Sequence, residues 1–309
     1  MKELPHIPVL LNEVISNLNI IPSGIYLDCT VGFGGHALEI LTRLNKKGKL
    51  IGIDLDPYAL KQTEKLLLPL NKTFHLDNKN FQDFPSVLDS LGIKKVNGIL
   101  LDLGFSSYQV DSEHRGLSYR FEAPLDMRFD KNSNITASKL IHSLSASELS
   151  KVILEFGEEY NHKKISRSIK SYSLKNKMNT TLDLKHAIER VTSKKNLNKT
   201  LSRVFQAIRI KVNEELDVLE RTLKKASNVI SMGGRILVIS FHSLEDRIVK
   251  KFFKLKSQSC ICNPEIPICI CNNVQTFKLI SNKVIIPSIY EIKNNIRSRS
   301  AKLRVAERI

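Results

Sequence analysis

The sequence lacks long apolar runs, and it contains few cysteines. Its longest apolar stretches, such as 98–101, are far shorter than the roughly 18 residues that a membrane-spanning helix requires. The opening residues, MKELPH, do not form the apolar segment of a signal peptide. Four of the five cysteines stand in one short cluster, which is not the disulfide framework of a secreted protein. We therefore expect a cytoplasmic protein with no membrane partner.

Acidic residues are also scarce relative to basic ones. The 309 residues include 31 Asp and Glu against 48 Lys and Arg, which gives a net charge of +17. Such an excess favours a polyanionic partner, although a lysine-rich genome can also produce it. The net charge is zero over 1–110, −3 over 111–160, +11 over 161–210, −1 over 211–246 and +10 over 247–309. A uniform bias would not concentrate charge in two segments, so the clustering favours a nucleic acid.

Strand and helix patterns alternate in the first hundred residues. Strand patterns lie at 25–29, 49–54, 73–76 and 98–103, with helix patterns at 36–44 and 57–68. This alternation predicts βαβ units and a parallel sheet.

The alternation stops near residue 110. Helix patterns follow at 145–156 and 182–192, then a long amphipathic pattern from Phe205 to Leu223, a strand pattern at 233–240 and a helix pattern at 243–253. We therefore predict an α/β core made of 1–110 and 216–309, with a helical domain inserted over 111–215.

A glycine-rich turn follows the first predicted strand. Gly32, Gly34 and Ala37 fit the loose G-x-G-x-x-G/A pattern, which permits a tight turn and close approach of a ligand to the backbone. Asp54 ends the second strand and can accept hydrogen bonds from ribose hydroxyls. Together they predict a site for an adenosine-containing cofactor, against the alternative of a structural turn. The pattern leaves both NAD and S-adenosylmethionine open.

Asp102 ends the fourth predicted strand, where ligands of open α/β sheets bind. A polar residue at this position in amino-methylating DNA enzymes receives an exocyclic amine, which loses a proton during methyl transfer. Asp102 could therefore orient an amine, contact the cofactor or only form a turn. Asp126 and His242 are further candidate proton acceptors, and the residues alone assign no catalytic base.

A helix N-cap is predicted at the start of 243–253. Ser243 is the predicted N-cap residue, with Asp246 in the reciprocal position.

The cysteine cluster consists of Cys260, Cys262, Cys269 and Cys271. Four thiolates this close in sequence can hold zinc or an iron–sulfur cluster. The C-x-C spacing is tighter than the usual zinc spacing, and a redox-active loop or reduced thiols in a hairpin are the alternatives. No metal ligand is assigned from the sequence.

Eight stretches carry a resemblance to a known family. They are HIPVL at 6–10, GFGGH at 32–36, DLDP at 54–57, DLGFSS at 102–107 with Gln109, LDMR at 125–128, RVFQAIR at 203–209 with Asn213 and Glu215, SFHSLEDR at 240–247 and RSAKLRVAER at 299–308. Because all eight stretches occur in this order, the chain resembles the ribosomal RNA small subunit methyltransferase H family, the bacterial cytosine-N4 methyltransferases of 16S rRNA.

The resemblance implies a class I S-adenosylmethionine-dependent methyltransferase, with a Rossmann-like sheet and an inserted helical substrate-binding domain. The implied cofactor contacts are Gly34, Gly35, His36, Asp54, Phe81, Asp102 and Gln109. Asp54 would hold the ribose and Phe81 would lie near the adenine, while Asp102 and Gln109 would close the site beside the methyl donor.

The implied reaction is direct methyl transfer to the N4 amine of a cytidine in 16S rRNA of the small ribosomal subunit. The basic segment 161–210 would contact RNA phosphates, and DNA is not an expected partner. A nicotinamide-dependent oxidoreductase and a non-catalytic RNA-binding module are the alternatives. The resemblance favours the methyltransferase.

Overall fold

The computed structural model describes residues 7–104, 115–175, 178–263, 270–271 and 273–309. The chain divides into two compact units, one drawn from Met1–Gly104 with Leu216–Ile309 and the other from Phe105–Glu215. The substrate-binding role of the inserted segment stays a prediction.

Strands and helices alternate through the first part of the chain. The elements are α1 (Leu11–Leu18), β1 (Ile25–Asp28), α2 (Gly35–Arg43), β2 (Lys49–Ile53), α3 (Pro57–Leu67), β3 (Phe74–Asp77), α4 (Phe84–Ser90) and β4 (Val96–Asp102). In the described residues that follow, the helices are α5 (Ala137–Ser143), α6 (Ala146–Gly157), α7 (His162–Lys175), α8 (Thr181–Glu189) and α9 (Leu197–Asn213). The last elements are α10 (Glu215–Val229), β5 (Ile230–Ser240), α11 (Ser243–Lys256), β6 (Phe277–Leu279), α12 (Ile289–Asn294) and β7 (Lys302–Arg308).

The seven strands form one sheet in the order β3-β2-β1-β4-β5-β7-β6. Strands β1 to β5 pair in parallel, and β7 runs antiparallel to both β5 and β6. This order, with its single reversed strand, is that of the class I S-adenosylmethionine-dependent methyltransferases, which confirms the predicted fold class. The strand order reverses between β1 and β4, and the crevice at such a point is where open α/β sheets bind ligands.

Helices cover both faces of the sheet. Successive residues such as Leu50 and Ile51 point into different apolar clusters, as expected for strands buried on both sides. Helices α1, α2 and α3 pack on one face, and α4, α10 and α11 pack on the other. Each fully buried Leu or Ile of these clusters contributes about 1.5–3 kcal/mol relative to exposure in water. The site at the strand ends therefore rests on a rigid support.

Strand β7 was not predicted from the sequence. Leu303 and Val305 are buried in the same cluster as α1 and α2, whereas Arg304 between them is only partly buried. Six residue pairs align β7 with β5, from Arg235–Glu307 to Ser240–Lys302. Its place depends on β5, which lies far away in sequence, and local patterning does not carry that information.

The long amphipathic pattern from Phe205 to Leu223 is divided between α9 and α10. Glu214 adopts a left-handed conformation with φ of 49°, and its N–H closes α9 by donating to the carbonyl of Ile210. The apolar residues Val212 and Leu216 lie on either side of this break at helical spacing. The apolar residues therefore keep their helical spacing across Glu214, although the helical backbone is interrupted there.

The second unit is helical around its own apolar cluster. Leu140, Ile153, Ile169, Leu184 and Val204 are buried there, one from each of α5 to α9. The helix patterns at 145–156 and 182–192 correspond to α6 and α8, and both helices begin with capping boxes. Among the described residues of the chain, no helix is both long and apolar enough to cross a membrane.

Candidate active site

Three carboxylates lie at the carboxyl ends of neighbouring strands in the sheet. Asp28 is the last residue of β1, Asp102 is the last residue of β4, and Asp54 directly follows β2. Because these strands are parallel neighbours, their ends meet at one edge of the sheet. The ligand crevice of this fold is therefore strongly acidic.

The glycine-rich turn between β1 and α2 is held close to Asp54. The Gly32 N–H donates to Asp54 Oδ2 at 2.8 Å, and the Thr63 hydroxyl donates to the Gly32 carbonyl at 2.7 Å. Gly34 has φ of +82°, and a Cβ there would lie 2.8 Å from Thr63 Cγ2. A Cβ on Gly35 would lie 2.9 Å from Pro8 Cγ. Both positions need glycine, because a side chain would force the turn away from its partners.

Asp54 accepts backbone hydrogen bonds on both carboxylate oxygens. Besides the Gly32 N–H on Oδ2, the Asp56 N–H donates to Oδ1 at 2.8 Å, and the backbone of Leu55 also hydrogen-bonds the carboxyl group. An ionised carboxylate can accept about four hydrogen bonds, so the carboxyl group keeps capacity for a hydroxyl donor. Burial raises the pKa of Asp54, although the backbone hydrogen bonds oppose that effect. Asp56 instead caps α3 by accepting from the N–H groups of Tyr58 and Ala59.

Asp28 and Asp102 are linked through Thr30. The Thr30 N–H donates to Asp28 Oδ1 at 3.2 Å, and the Thr30 hydroxyl accepts from the Asp102 N–H at 2.7 Å. Burial raises the pKa of Asp28 to about 7; the Thr30 hydrogen bond lowers it, and the charge of Asp54 raises it further.

Burial also holds the pKa of Asp102 well above its ordinary value, and the nearby charges of Asp28 and Glu245 add to that effect. The buried Oδ1 atom of Asp102 has no hydrogen-bond partner among the residues that the structure describes. A polar oxygen in this position is an acceptor available to a ligand.

His36 lies beside Asp102 near the start of α2. Its Nε2 is 3.0 Å from the carbonyl of Val9, and a carbonyl only accepts, so Nε2 carries the hydrogen. Its Nδ1 then lies 3.8 Å from Asp102 Oδ2, and the ring is buried. The structure therefore brings together five predicted site residues, Gly34, Gly35, His36, Asp54 and Asp102.

His242 has a structural role that differs from the predicted helix cap. His242 itself is the N-cap of α11: its Nδ1 accepts from the Glu245 N–H at 3.4 Å, and Glu245 Oε2 accepts from the His242 N–H at 3.3 Å. The prediction of Ser243 and Asp246 as the reciprocal pair was wrong by one residue. Asp246 is instead paired with Arg304 Nε at 2.6 Å across to β7, a contact that sequence spacing could not indicate.

Asp126, in the second unit, is committed to an ion pair. Arg128 donates through Nε and Nη2 to its two oxygens, each at 2.7 Å. Burial acts to raise the pKa of Asp126, but the hydrogen bonds and charge of Arg128 outweigh it and hold that pKa below its ordinary value. Asn213 fixes the same loop, accepting from the Phe129 N–H at 2.7 Å and donating to the Met127 carbonyl at 2.8 Å. Asp126 is therefore a weak proton acceptor.

The two other implied cofactor contacts, Phe81 and Gln109, are not tested by these distances. Phe81 begins a short 3₁₀ turn, Phe81–Asp83, and packs partly buried against the cluster that includes Leu101. Its position near an adenine stays a prediction. Gln109 lies outside the described residues.

Sequence reasoning missed Asp28, Thr30 and Glu245. Asp28 could have been found, because it is a charged residue in the otherwise buried strand at 25–29. The contribution of Glu245 could not, since it depends on the distance between α11 and the end of β4.

The class I methyltransferase sheet, with its acidic crevice at the point where the strand order reverses, places this protein in the class of methyltransferases. The chain belongs to the MraW methylase family, whose sequence profile matches residues 3–309. It is 44% identical over 311 residues to the ribosomal RNA small subunit methyltransferase H of Finegoldia magna, covering 99% of each chain. The protein of the same name from Clostridioides difficile is 43% identical over 310 residues, covering 99% of this chain and all of the relative.

A crystal structure of an rRNA methylase from Streptococcus thermophilus also superposes on the chain. The match has a TM-score of 0.41 and 11% identity, and covers 97% of this chain and 93% of the other.

Proposed function

We propose that this methyltransferase transfers a methyl group from S-adenosylmethionine to the exocyclic N4 amine of a specific cytidine in 16S rRNA of the small ribosomal subunit. The names of its full-length relatives support a small-subunit rRNA substrate. The observation that carries the chemistry is Asp102, a partly buried residue at the end of β4 whose buried Oδ1 has no hydrogen-bond partner within the described parts of the chain. When bound, S-adenosylmethionine supplies an electrophilic methyl group carried on a positively charged sulfur.

The charge of the crevice supports S-adenosylmethionine rather than a nicotinamide dinucleotide. Asp28, Asp54 and Asp102 surround the strand ends, and burial together with the charges of Asp28 and Glu245 raises the pKa of Asp102. A cationic ligand relieves this repulsion, whereas the pyrophosphate of a dinucleotide would increase it. The remaining acceptor capacity of Asp54 suits a ribose hydroxyl.

We assign Asp102 to the incoming amine. The amine nitrogen gains positive charge as it gains a methyl group, and it must release one proton. Asp102 Oδ1 accepts a hydrogen bond from the amine and then takes that proton, which its raised pKa favours once the carboxyl is ionised. His36, held by the Val9 carbonyl, lies on the other side of the carboxyl group, with Nδ1 3.8 Å from Asp102 Oδ2. The ion pair with Arg128 makes Asp126 a weaker candidate than Asp102. His242 Nδ1 is taken up by the cap of α11, while its buried Nε2 lies 3.2 Å from Glu245 Oε1 and has no hydrogen-bond partner among the described residues.

The inserted segment supplies a surface for RNA phosphates. Lys163, Lys164 and Arg167 are exposed on α7, within the segment of net charge +11. Such residues bind phosphates through charge and give an affinity that falls with salt. A cytidine in structured RNA must leave its stack to reach the crevice. We expect the reaction to occur in the cytoplasm, with no membrane and no DNA partner.

Two measurements test this function. S-adenosylhomocysteine should raise the melting temperature and NADH should not, because only a bound ligand stabilises the folded state. Asp102→Asn should keep S-adenosylhomocysteine affinity within about tenfold but reduce the turnover of methyl transfer about 10²- to 10⁴-fold. Asp89→Asn, an exposed carboxyl on α4, is the matched control and should keep full turnover. Stabilisation by NADH alone, or normal turnover in Asp102→Asn, would contradict the proposal.

A further inference from the structure

The connection between α11 and β6 is long and has little apolar support. The described part of 257–276 contains neither helix nor strand. Its base is closed by the Thr276 N–H, which donates to the Lys256 carbonyl at 2.9 Å, and by Asn273 Nδ2, which donates to the Gln258 carbonyl at 2.6 Å. Loops of this length without secondary structure are uncommon in compact domains unless they have a function.

Three apolar residues in the described part of this connection are exposed. Ile261, Ile270 and Val274 have 47%, 70% and 71% of their surfaces accessible. Burial in the core therefore does not hold the outer part of the loop.

Three thiol groups converge in this outer part. The Sγ atoms of Cys260, Cys262 and Cys271 all lie within 4.8 Å of one another. The Cys260 and Cys271 sulfurs are 3.8 Å apart, which is far beyond the roughly 2.05 Å of a disulfide bond. Two sulfurs that bind one tetrahedral zinc ion at about 2.3 Å are separated by about 3.8 Å. The observed separation thus matches the edge of a zinc–thiolate tetrahedron.

Backbone amides point at each of these sulfurs. The Ile261 N–H donates to Cys271 Sγ at 3.3 Å, the Cys262 N–H to Cys260 Sγ at 3.4 Å, and the Ile270 N–H to Cys262 Sγ at 3.4 Å. Amide donors stabilise a thiolate more than a neutral thiol, which is a weak acceptor. Such donors are also typical of the groups that orient metal-bound ligands. Three thiolates this close repel one another unless a cation lies between them.

We propose that Cys260, Cys262 and Cys271 bind one Zn²⁺ ion as thiolates and that this ion holds the outer part of the loop. Thiolates are soft ligands that select zinc over magnesium or calcium. Each thiol releases its proton to solvent on binding, so zinc is bound without any change of oxidation state. Cys269, the fourth cysteine of the sequence cluster, lies outside the described residues. The site is independent of the proposed methyl transfer.

Metal content and spectroscopy of the full-length chain test the site. Protein purified with a reductant and without a polyhistidine tag should contain one zinc per chain by mass spectrometry. Serine at Cys260, Cys262 or Cys271 should each reduce zinc affinity at least about tenfold. Cys29→Ala is the matched control, because this cysteine is buried at the end of β1, and it should keep the zinc. Circular dichroism checks that each variant is folded.

Cobalt substitution and proteolysis provide independent readouts. The Co²⁺ form should show the thiolate-to-metal charge-transfer absorption, and a chelator should speed proteolytic cleavage within 257–276 while the melting temperature of the chain hardly changes. Reduced protein that binds no zinc after dialysis against it would overturn the site. Equal zinc retention in the three serine variants, or a cobalt form without thiolate charge transfer, would also overturn it.

Discussion

Replacement of Asp28 by Asn tests the electrostatic character of the crevice. Asp28 is 1% exposed, and burial raises its pKa from 3.8 to about 7 in the folded protein. The folded state therefore binds more protons than the unfolded state between these pH values, and the free energy of unfolding falls as pH rises through this interval. At about 1.36 kcal/mol per pH unit, the complete loss attributable to Asp28 is about 4 kcal/mol.

Asn does not titrate, so the variant escapes this loss. The free energy of unfolding of Asp28→Asn minus that of the wild type should rise by up to about 4 kcal/mol between pH 4 and pH 8, and should level off above pH 7. Any constant cost of placing an amide there cancels from this difference. Removal of the Asp28 charge also lowers the pKa of Asp102, which acts in the same direction.

Urea unfolding followed by circular dichroism at several pH values measures this difference. Asp246→Asn is the control. Burial acts to raise the pKa of Asp246, but pairing with Arg304 outweighs burial and holds that pKa below its ordinary value. The stability that Asp246 contributes is lost only as pH falls below about 4, so the control difference should be flat from pH 5 to pH 8. A pH-independent difference for Asp28→Asn, or one that falls with pH, would refute the reasoning.

Two further predictions concern the cofactor turn and the basic surface. Gly34→Ala should abolish most S-adenosylhomocysteine affinity in calorimetry, because its Cβ would lie 2.8 Å from Thr63 Cγ2. The control Gly92→Ala should lose only about 1–2 kcal/mol of stability and keep its S-adenosylhomocysteine affinity, because Gly92 also has a positive φ but no atom lies within 4 Å of the added Cβ. Equal losses of affinity in the two variants would contradict the proposed role of Gly34 in cofactor binding. Glutamate at three exposed cations of α7 should weaken RNA binding and reduce the slope of log affinity against log salt by about 2–3. These cations are Lys163, Lys164 and Arg167, with Lys46 and Lys47 as control positions. An unchanged slope would remove α7 from the RNA surface.

The sequence predicted the parts of the fold whose signals are local. Strands β1 to β4 could be predicted from short stretches of the sequence. The turn at Gly34 requires glycine because its backbone φ is positive. The position of Asp54 at a strand end could be read from the same patterns. These features depend on neighbours in the chain, which is why the turn and the strand-end carboxylate were predictable.

Features that depend on distant pairing could not be predicted. Strand β7 is defined by its register with β5, and Asp246 is occupied by Arg304 across the sheet. Burial is the main cause of the raised pKa of Asp102, and the further contribution of Glu245 depends on where α11 lies relative to the end of β4. The interval from Phe205 to Leu223 keeps helical periodicity although Glu214 interrupts the backbone.

The product of the reaction is the most direct test of the central claim. Small ribosomal subunits lacking the modification are incubated with the full-length chain and S-adenosylmethionine labelled in its methyl group, and the rRNA is digested to nucleosides for chromatography and mass spectrometry. The proposed function predicts that the label appears in N4-methylcytidine of 16S rRNA and is lost in Asp102→Asn. Label on carbon 5 of cytosine or on a 2′-hydroxyl, with none on N4, would contradict it.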